Sequence, residues 1–433
     1  MIAAALRMVA VLAVMAWPAM AEIRIQEVTS PGGIRAWLVE DHNIAFTAMN
    51  IRFLGGTSLD DPARRGAVNL MTALIEEGSG EMDAQAFARA RDGLAADFRF
   101  DSDLDGVGVS ARFLTENRDA ALDLLHQALT RPRFDPDAIE RVRGQVMSVL
   151  RGKAKDPEAI ASQALMARAF GSHPYGSDGT GTEASVTALT RDDVVAAWKG
   201  ALARDRIFVA VAGDVTAAEL GPMLDRLLGD LPATGLARPG RAALNARGGI
   251  EQISFPGPQS SIGFYQGGIR FEDPDYFAAA VLNEIIGGDR FNSRLMDELR
   301  EKRGLTYGVG TGLAAFDHGE MLSGRLATAN DRVGEAIQVI RDQWADIAAH
   351  GVTQAELDAA KTYMTGAYPL RFDGNGRIAS ILVGMQILGL PVDYPATRNQ
   401  RIAAVTLADV ARVAKRLIRP EQLFFVVVGD ARL

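Results

Sequence analysis

The spacing of apolar residues predicts alternating blocks of strand and helix along the chain. Residues 23–54 contain three short β-rich runs, and alternation of apolar and polar residues at 96–100 and 107–113 predicts a hairpin. Elsewhere in the first half, apolar residues recur three and four positions apart, so each such segment is a helix with one face on a core. These predicted helices are 65–77, 83–92, 117–130 and 136–152.

One passage occurs twice, at 190–213 and at 406–429, which are 216 positions apart and align without a gap. Each copy opens with a Thr shortly before an acidic residue, a signal for the start of a helix. An amphipathic helix, a short polar joint and an apolar β-rich run ending in Gly-Asp follow in both copies. A match of this length indicates that the chain consists of two related halves.

The second half repeats the predicted order of the first. Asp273-Pro274 introduces a helix as Asp61-Pro62 does, and a strand is predicted at Ser261–Tyr265. The other predicted elements are a helix at 292–303, strands at 305–314 and 320–328, and helices at 331–349 and 353–366. We therefore expect an α+β fold of two homologous domains, each an antiparallel-rich sheet covered by helices. The predicted boundaries are 22–231 for the first domain, 232–249 for a linker rich in Gly, Pro, Ala and Arg, and 250–433 for the second domain.

Residues 1–21 have the pattern of a signal peptide. Arg7 supplies the positive start, Met8 to Trp17 the apolar stretch, and Ala19-Met20-Ala21 the cleavage signal. The apolar stretch is shorter than the ~20 residues that span a bilayer, which favours cleavage over an uncleaved membrane anchor. The expected location is the periplasm of a Gram-negative bacterium.

Composition narrows the possible chemistry. The chain has 433 residues, a net charge of −8 and no Cys, and the charge is not gathered in one tail. A negative chain without a basic face is a poor partner for nucleic acid or for an anionic membrane. The lack of Cys excludes disulfides, thiolate metal sites and a cysteine nucleophile.

Six segments in family order resemble the insulinase/pitrilysin family of zinc peptidases, in the short-chain branch that includes the mitochondrial processing peptidase and the cytochrome bc1 core subunits. They are GGTSLDDPARRGAVNLM (55–71), SHPYGSDGTGT (172–182), LTRDDV with AVAGDV (189–215), FNSRLMDELREKRGLTYGV (291–309), TQAELDAAKTYM (353–364) and VTLADV with VVVGD (405–430). They cover nearly all of the chain after the predicted signal peptide. The resemblance implies the same two-domain duplication that the repeat indicates.

The defining motif of that family, H-x-x-E-H, is missing. Its chemistry needs two His one helical turn apart to bind zinc, a Glu to activate the metal-bound water, and a carboxylate from a later helix. The family pattern places Asn69, Thr72 and Ala73 at the His, Glu and His positions, and Met147-Ser148-Val149-Leu150 where the last ligand belongs. No two of the five His lie within one helical turn in sequence. We therefore expect no metal or other cofactor in this chain, and zinc in a partner subunit.

A second signature of the family is present in the second half. Arg300 and Tyr307, in LREKRGLTY, match the Arg and Tyr that in this family reach the zinc domain. Arg300 is expected in the last turn of the helix 292–303 and Tyr307 on the next strand, so the two side chains can converge. The resemblance implies that Tyr307 donates a hydrogen bond to the scissile carbonyl or its tetrahedral oxyanion, and that Arg300 binds the substrate backbone. The alternative is ordinary packing for the Tyr and a favourable helix-dipole position for the Arg.

Smaller motifs keep two interpretations each. Gly287-Gly288 stands where the processing-peptidase α subunit has a glycine-rich substrate loop, but two glycines favour a helix C-cap. Gly308, Gly310 and Gly312 alternate along the next predicted strand, which suits either a peptide along its edge or close helix packing. His173 in SHPYG is expected in a turn or capping role.

Together these features predict a periplasmic subunit that binds no zinc and contributes Arg300 and Tyr307 in trans to a homologous H-x-x-E-H partner. The expected substrates are unfolded peptides, and the chain alone should not hydrolyse them. Two alternatives remain. One is an inert structural subunit, and the other is a stand-alone peptide-binding protein with the same fold.

Overall fold

The computed structural model describes residues 23–288, 290 and 292–432, so the predicted signal peptide at 1–21 lies outside the described residues. The strands of the first half are β1 (Gln26–Thr29), β2 (Arg35–Glu40), β3 (Phe46–Leu54), β4 (Gly78–Ser79), β5 (Met82–Asp83), β6 (Asp97–Ser102), β7 (Gly106–Leu114) and β8 (Ile207–Gly213). Its helices are α1 (Ala67–Leu74), α2 (Ala84–Gly93), α3 (Arg118–Thr130), α4 (Pro136–Lys153), α5 (Pro157–Phe170), α6 (Glu183–Ala188), α7 (Arg191–Ala201) and α8 (Ala217–Leu228).

The second half repeats this plan with fewer strands. Its strands are β9 (Gly249–Ile253), β10 (Gln259–Gly267), β11 (Val309–Phe316), β12 (Gly319–Ala329) and β13 (Phe424–Val428). Its helices are α9 (Tyr276–Gly287), α10 (Val333–His350), α11 (Gln354–Ala367), α12 (Asn375–Ile387), α13 (Tyr394–Ala404) and α14 (Leu407–Leu417). A π-helix, Met296–Glu301, lies between α9 and β11. None of the described helices is long and apolar enough to cross a membrane.

Five strands of the first sheet have the same order and pairing as the five strands of the second, and β1 has no counterpart. The first sheet runs β1-β2-β8-β3-β7-β6 and the second runs β11-β12-β10-β13-β9. Reading both from one side, β2, β8, β3, β7 and β6 correspond to β9, β13, β10, β12 and β11. The pairs β2–β8 and β9–β13 are parallel, and the remaining pairs of these strands are antiparallel. The predicted α+β duplication is confirmed.

The repeated passage forms the same unit in both halves. Thr190 and Thr406 each cap a helix by accepting a hydrogen bond from the N–H of Asp193 and Asp409, and each Asp side chain bonds back to the Thr N–H. Such reciprocal capping satisfies two main-chain donors that the helix itself leaves unpaired. The helices α7 and α14 then lead into β8 and β13, which lie inside their sheets. The sequence repeat therefore marks equivalent central strands.

One face of each sheet lies on the core of its own half. In β3 and β7 the odd-numbered residues are buried against α1, α3, α7 and α8, as period-two alternation requires. In β10 and β12 the apolar residues Ile262, Phe264, Leu322 and Leu326, all even-numbered, are buried with Trp344 of α10. Each such large side chain contributes roughly 1.5–3 kcal/mol by leaving water.

The opposite face of each sheet is covered by a helix from the other half. On the second sheet, Ala161, Leu165 and Ala169 of α5 pack with a group of strand residues from that sheet, namely Tyr265, Met321, Phe424, Val426 and Val428. On the first sheet, Leu382 and Val383 of α12 pack over β2 and β8 in the same way. Because each half covers a sheet of the other, the two halves share two apolar contacts.

The predicted linker at 232–249 is an extended segment held against both halves. Residues 232–248 form neither helix nor strand, and Gly249 begins β9. The N–H of Ala242 donates to the carbonyl of His318 at 2.7 Å, and the N–H of Asn245 donates to the carbonyl of Ala169 at 2.8 Å. The domain boundaries predicted around this segment stay a prediction.

A polar joint connects the turns of the two sheets. Asp105 lies in the β6–β7 turn of the first half, and Asp317 and His318 form the β11–β12 turn of the second. The hydroxyl of buried Tyr175 donates to the Asp105 carboxylate and accepts the N–H of His318 at 2.9 Å. The N–H of Asp317 donates to Asp105 at 3.2 Å. One tyrosine hydroxyl and one carboxylate thus join the halves.

Burial perturbs the ionisable groups of this joint. Burial, followed by the nearby Asp105 charge, raises the pKa of Asp317 to about 6, although Arg238 lies 3.3 Å from its carboxylate. Burial also lowers the pKa of His318. His173 caps the short helical turn Pro174–Gly176 by accepting the N–H of Tyr175 at 3.2 Å. The capping role predicted for His173 is confirmed.

Candidate functional site

The positions that hold zinc ligands in the family lie on α1. Asn69 and Ala73 are one turn apart on the less buried side of the helix, whereas Thr72 is buried and its hydroxyl donates to the carbonyl of Val68 at 2.8 Å. Asp60 supports the start of α1, because its carboxylate accepts the N–H groups of Gly66 at 2.9 Å and Val68 at 3.0 Å. The helix thus keeps its local support while its exposed face has an amide and a methyl group. Neither group supplies the imidazole donors that a zinc site of this type needs.

One group of three His, Asp or Glu residues in the described part of the chain has the spacing to hold a metal ion. It consists of Asp105, Asp317 and His318 in the joint between the halves, away from α1. Asp105 already accepts the Tyr175 hydroxyl and the Asp317 N–H, and Arg238 pairs with Asp317. These contacts account for the group without a cation.

Arg300 and Tyr307 converge as the sequence predicts. The Arg300 guanidinium carbon lies 5.1 Å from the centroid of the Tyr307 ring, a distance suited to a cation–π contact. Arg300 is in the last turn of the π-helix, and its Nε also lies 3.5 Å from Glu301. The predicted strand position of Tyr307 is wrong, because β11 begins at Val309 and Tyr307 lies in the bend before it.

The bend that carries Tyr307 is fixed from both sides. Gly304 has a φ of +57°, where a side chain would be strained, and its N–H donates to the Arg300 carbonyl at 3.0 Å. After it, the Thr306 hydroxyl donates to the carbonyl of Gly308 at 2.8 Å and accepts its N–H at 3.2 Å. The Thr328 hydroxyl donates to the carbonyl of Leu305. Sequence reasoning missed both threonines, although a Thr two residues before Gly is a known turn pattern.

The Tyr307 side chain projects into water. It is 90% exposed, the most exposed large apolar side chain of the described residues, and its hydroxyl makes no hydrogen bond within that part of the chain. A tyrosine on a strand normally buries its ring against neighbours, so ordinary packing does not account for this one. The bend thus fixes the main chain at this position while the phenol ring faces solvent.

A cavity of about 660 Å³ opens beside this pair. Its floor is the face of β10, β11 and β12 that α5 covers, and α5 of the first half forms its roof through Ala161, Leu165 and Met166. Arg300 and Tyr307 line its side together with Gly287 and Gly288. The cavity therefore needs residues of both halves.

The glycines around the cavity fall into two groups. A Cβ on Gly287 would lie 2.8 Å from Thr311 Oγ1, and one on Gly288 would lie 2.3 Å from Glu284 Oε2, so both positions are closely packed. Gly288 caps α9, and the predicted C-cap is confirmed. By contrast, a Cβ on Gly308 or Gly312 would meet nothing within 4 Å. Close helix packing therefore does not explain the glycines of β11.

A buried ion pair supports the wall next to Arg300. Arg290 Nε lies 3.2 Å from Glu284 Oε1, and both side chains are almost fully buried. Losing one partner of a buried ion pair is destabilising, because burial weakens the hydration of the charge that remains. The pair thus helps to hold the end of α9 and the segment that leads to the π-helix.

Two family models match the chain. The model described as insulinase, peptidase family M16, matches residues 35–183, and the model described as peptidase M16 inactive domain matches residues 188–364. Together they cover well over half of the chain, in the order of the two halves.

Individual proteins agree with these models. The non-peptidase homolog YmxG of Helicobacter pylori is 24% identical over 395 residues, which are 91% of either chain. A probable mitochondrial-processing peptidase subunit beta of Schizosaccharomyces pombe is 26% identical over 326 residues, 72% of this chain and 70% of that one. The crystal structure of a peptidase M16 inactive domain from Pseudomonas fluorescens superposes with a TM-score of 0.88 at 28% identity, covering 95% of this chain and 98% of that one.

The chain belongs to the insulinase family, peptidase family M16. The resemblance seen in the sequence is confirmed. The sequence of the chain contains no H-x-x-E-H motif.

Proposed function

We propose that this member of the insulinase family is the zinc-free subunit of a heterodimeric periplasmic metallopeptidase. A homologous subunit with H-x-x-E-H would supply the zinc that polarises the attacking water, and this chain would supply Arg300 and Tyr307. The observation that carries the proposal is the combination of vacated zinc positions with a solvated Tyr307, 90% exposed, stacked by Arg300 beside a large cavity.

The chemistry assigned to the pair follows from its groups. A phenol hydroxyl that has no protein partner among the described residues is free to donate to the scissile carbonyl, and the bond strengthens as that oxygen gains negative charge. The Arg300 guanidinium lies against the same ring, so it adds positive charge near that oxygen or binds a substrate carbonyl. Neither group activates water, which is why the chain needs a partner.

Two further features support the proposal. A relative is described as a processing-peptidase subunit and another as a non-peptidase homolog, so the family contains both catalytic and non-peptidase chains. The signal-peptide pattern of residues 1–21 supports export to the periplasm, where an exported partner would also be found.

The test is reconstitution with an exported homologue that carries H-x-x-E-H. Each purified subunit and their mixture are assayed on a fluorogenic unstructured peptide. We expect cleavage from the mixture alone, and a turnover lower by about 10²–10³ when the mixture contains Tyr307→Phe. Tyr363→Phe on α11, a second exposed tyrosine, is the matched control and should leave turnover unchanged.

The two alternatives predict different results. An inert structural subunit would form the complex, but Tyr307→Phe would change no rate. A stand-alone peptide-binding protein would bind unfolded peptides and form no complex with the H-x-x-E-H homologue. Either pattern would refute the proposed role in trans.

A further inference from the structure

The cavity beside Arg300 and Tyr307 has an open glycine floor. Gly308, in the bend just before β11, and Gly310 and Gly312 of β11 line the cavity, and a Cβ at Gly310 would meet one atom, the Gly287 carbonyl oxygen, at 3.8 Å. Glycine inside a strand weakens it, so such a run needs another reason, and close approach of another backbone is a common one. About 660 Å³ is large enough for several residues of an extended peptide.

An ion pair between the two halves lines the cavity. Glu158 in the first turn of α5 lies 2.7 Å from Arg325 of β12. The side chains are 60% and 78% exposed, so water screens the pair and its contribution to stability is small. A ligand carboxylate can therefore replace Glu158 beside Arg325 at little cost.

The other charged residues that line the described part of the cavity are cationic. Arg290 is buried against Glu284, whereas Arg300 lies at the side of the cavity next to Tyr307. Of the lining groups near solvent, Glu158 is the anion and Arg300 and Arg325 are cations, and Glu301, which pairs with Arg300, does not line the cavity. The balance favours a ligand with a negative side chain, and Glu158 opposes it.

We propose that the cavity binds an extended segment of the peptide substrate over the β11 glycines, and that Arg325, opposed by Glu158, selects an acidic side chain in that segment. The inference rests on the proposed function in taking peptides as ligands. It adds a specificity determinant to a chain whose Arg300 and Tyr307 act on the peptide bond itself.

The test measures binding to the full-length chain alone, so it does not depend on a partner or on turnover. Three fluorescein-labelled unstructured peptides, identical except for Glu, Gln or Lys at one position, are titrated and followed by anisotropy. Substitutions of the two residues of the Arg325–Glu158 pair should change the Kd of the Glu peptide in opposite directions. Arg325→Gln should raise this Kd and Glu158→Gln should lower it, each by up to about fivefold. The Lys peptide should show the reverse order, and the Gln peptide should change little.

A cavity-filling variant controls for the place of binding. Gly312→Val adds a side chain into open space on a strand, where Val is well tolerated, and should weaken all three peptides together. Gly144→Ala on α4, also next to open space but far from the cavity, should leave binding unchanged.

Three results would overturn the inference. They are no peptide binding by the folded chain, unaltered binding in Gly312→Val, or equal shifts of all three peptides by Arg325→Gln and Glu158→Gln. None of them bears on turnover by the reconstituted pair, so a failure here and a failure of the role of Tyr307 are separate outcomes.

Discussion

The joint between the halves makes a quantitative prediction for Asp317→Asn. The Asp317 carboxyl has a model-compound pKa of 3.8, and burial with the neighbouring Asp105 raises it to about 6 in the folded protein. A difference of about two pKa units corresponds to ~3 kcal/mol at ~1.36 kcal/mol per unit. A raised carboxyl pKa means that the folded state prefers the protonated form. The stability that the protonated Asp317 carboxyl contributes to the folded state is fully present below pH 3.8 and is lost as the pH rises through about 6.

Asn has the shape of the protonated acid and does not titrate, so the variant should escape that loss. The attraction of Arg238 for the ionised carboxylate is already contained in the shifted pKa, because it lowers the value that burial raises. We therefore expect Asp317→Asn to match wild type at about pH 4 and to exceed it by about 3 kcal/mol at about pH 7.5. Buried Asp60 also has its pKa raised to about 6, but it is present in both proteins and its effect cancels in the difference.

The assay is urea unfolding at both pH values, followed by tryptophan fluorescence and circular dichroism. Exposed Asp373→Asn is the matched control and should show no pH-dependent gain. A difference between Asp317→Asn and wild type that does not change with pH, or a variant less stable at neutral pH, would refute the account of the joint.

Three other predictions concern the same features. Tyr175→Phe removes the hydroxyl that joins Asp105 to the His318 N–H, and urea unfolding should show a loss of about 1–3 kcal/mol; an unchanged midpoint would argue against the joint. Thr306→Ala removes the hydroxyl that holds the bend before β11, so kcat of the reconstituted complex should fall about ten- to a hundredfold, whereas Thr306→Ser should keep the wild-type kcat. Equal kcat for Thr306→Ala and wild type would contradict a positioning role. A chelator should not lower the melting temperature of the isolated chain, and added zinc should not raise it; a zinc-dependent rise would show a metal site that α1 does not provide.

Local pattern predicted the repeated unit well, because capping and alternation are signals within a few residues. The capping pairs of Thr190 and Thr406, for example, are visible in the sequence and present in the structure. The absence of an H-x-x-E-H motif was equally visible, since it needs only residue identity.

Helices α5 and α12 were not among the predicted elements. The sequence also did not predict that each of them packs on the sheet of the other half. Residues of α5 contact β10 and β13, about 100 and about 260 positions away along the chain, and no local signal encodes such contacts. The same reason hid the cavity, whose roof and floor come from different halves, and the joint of Asp105 with Asp317.

Arg300 and Tyr307 were identified by resemblance, whereas their surroundings needed the structure. The sequence placed Tyr307 on a strand, but the Thr306 hydroxyl holds Gly308 in a bend and delays β11 to Val309. β11 therefore begins four residues after the predicted start at 305, and Tyr307, which lies before the strand, is 90% exposed.

The most direct measurement of the central claim is kcat for peptide cleavage by an H-x-x-E-H subunit saturated with this chain, wild type against Tyr307→Phe. Loss of one hydroxyl, with assembly and melting temperature unchanged, is predicted to lower kcat by about 10²–10³. Equal kcat for the two complexes would contradict a contribution of this chain to the chemical step.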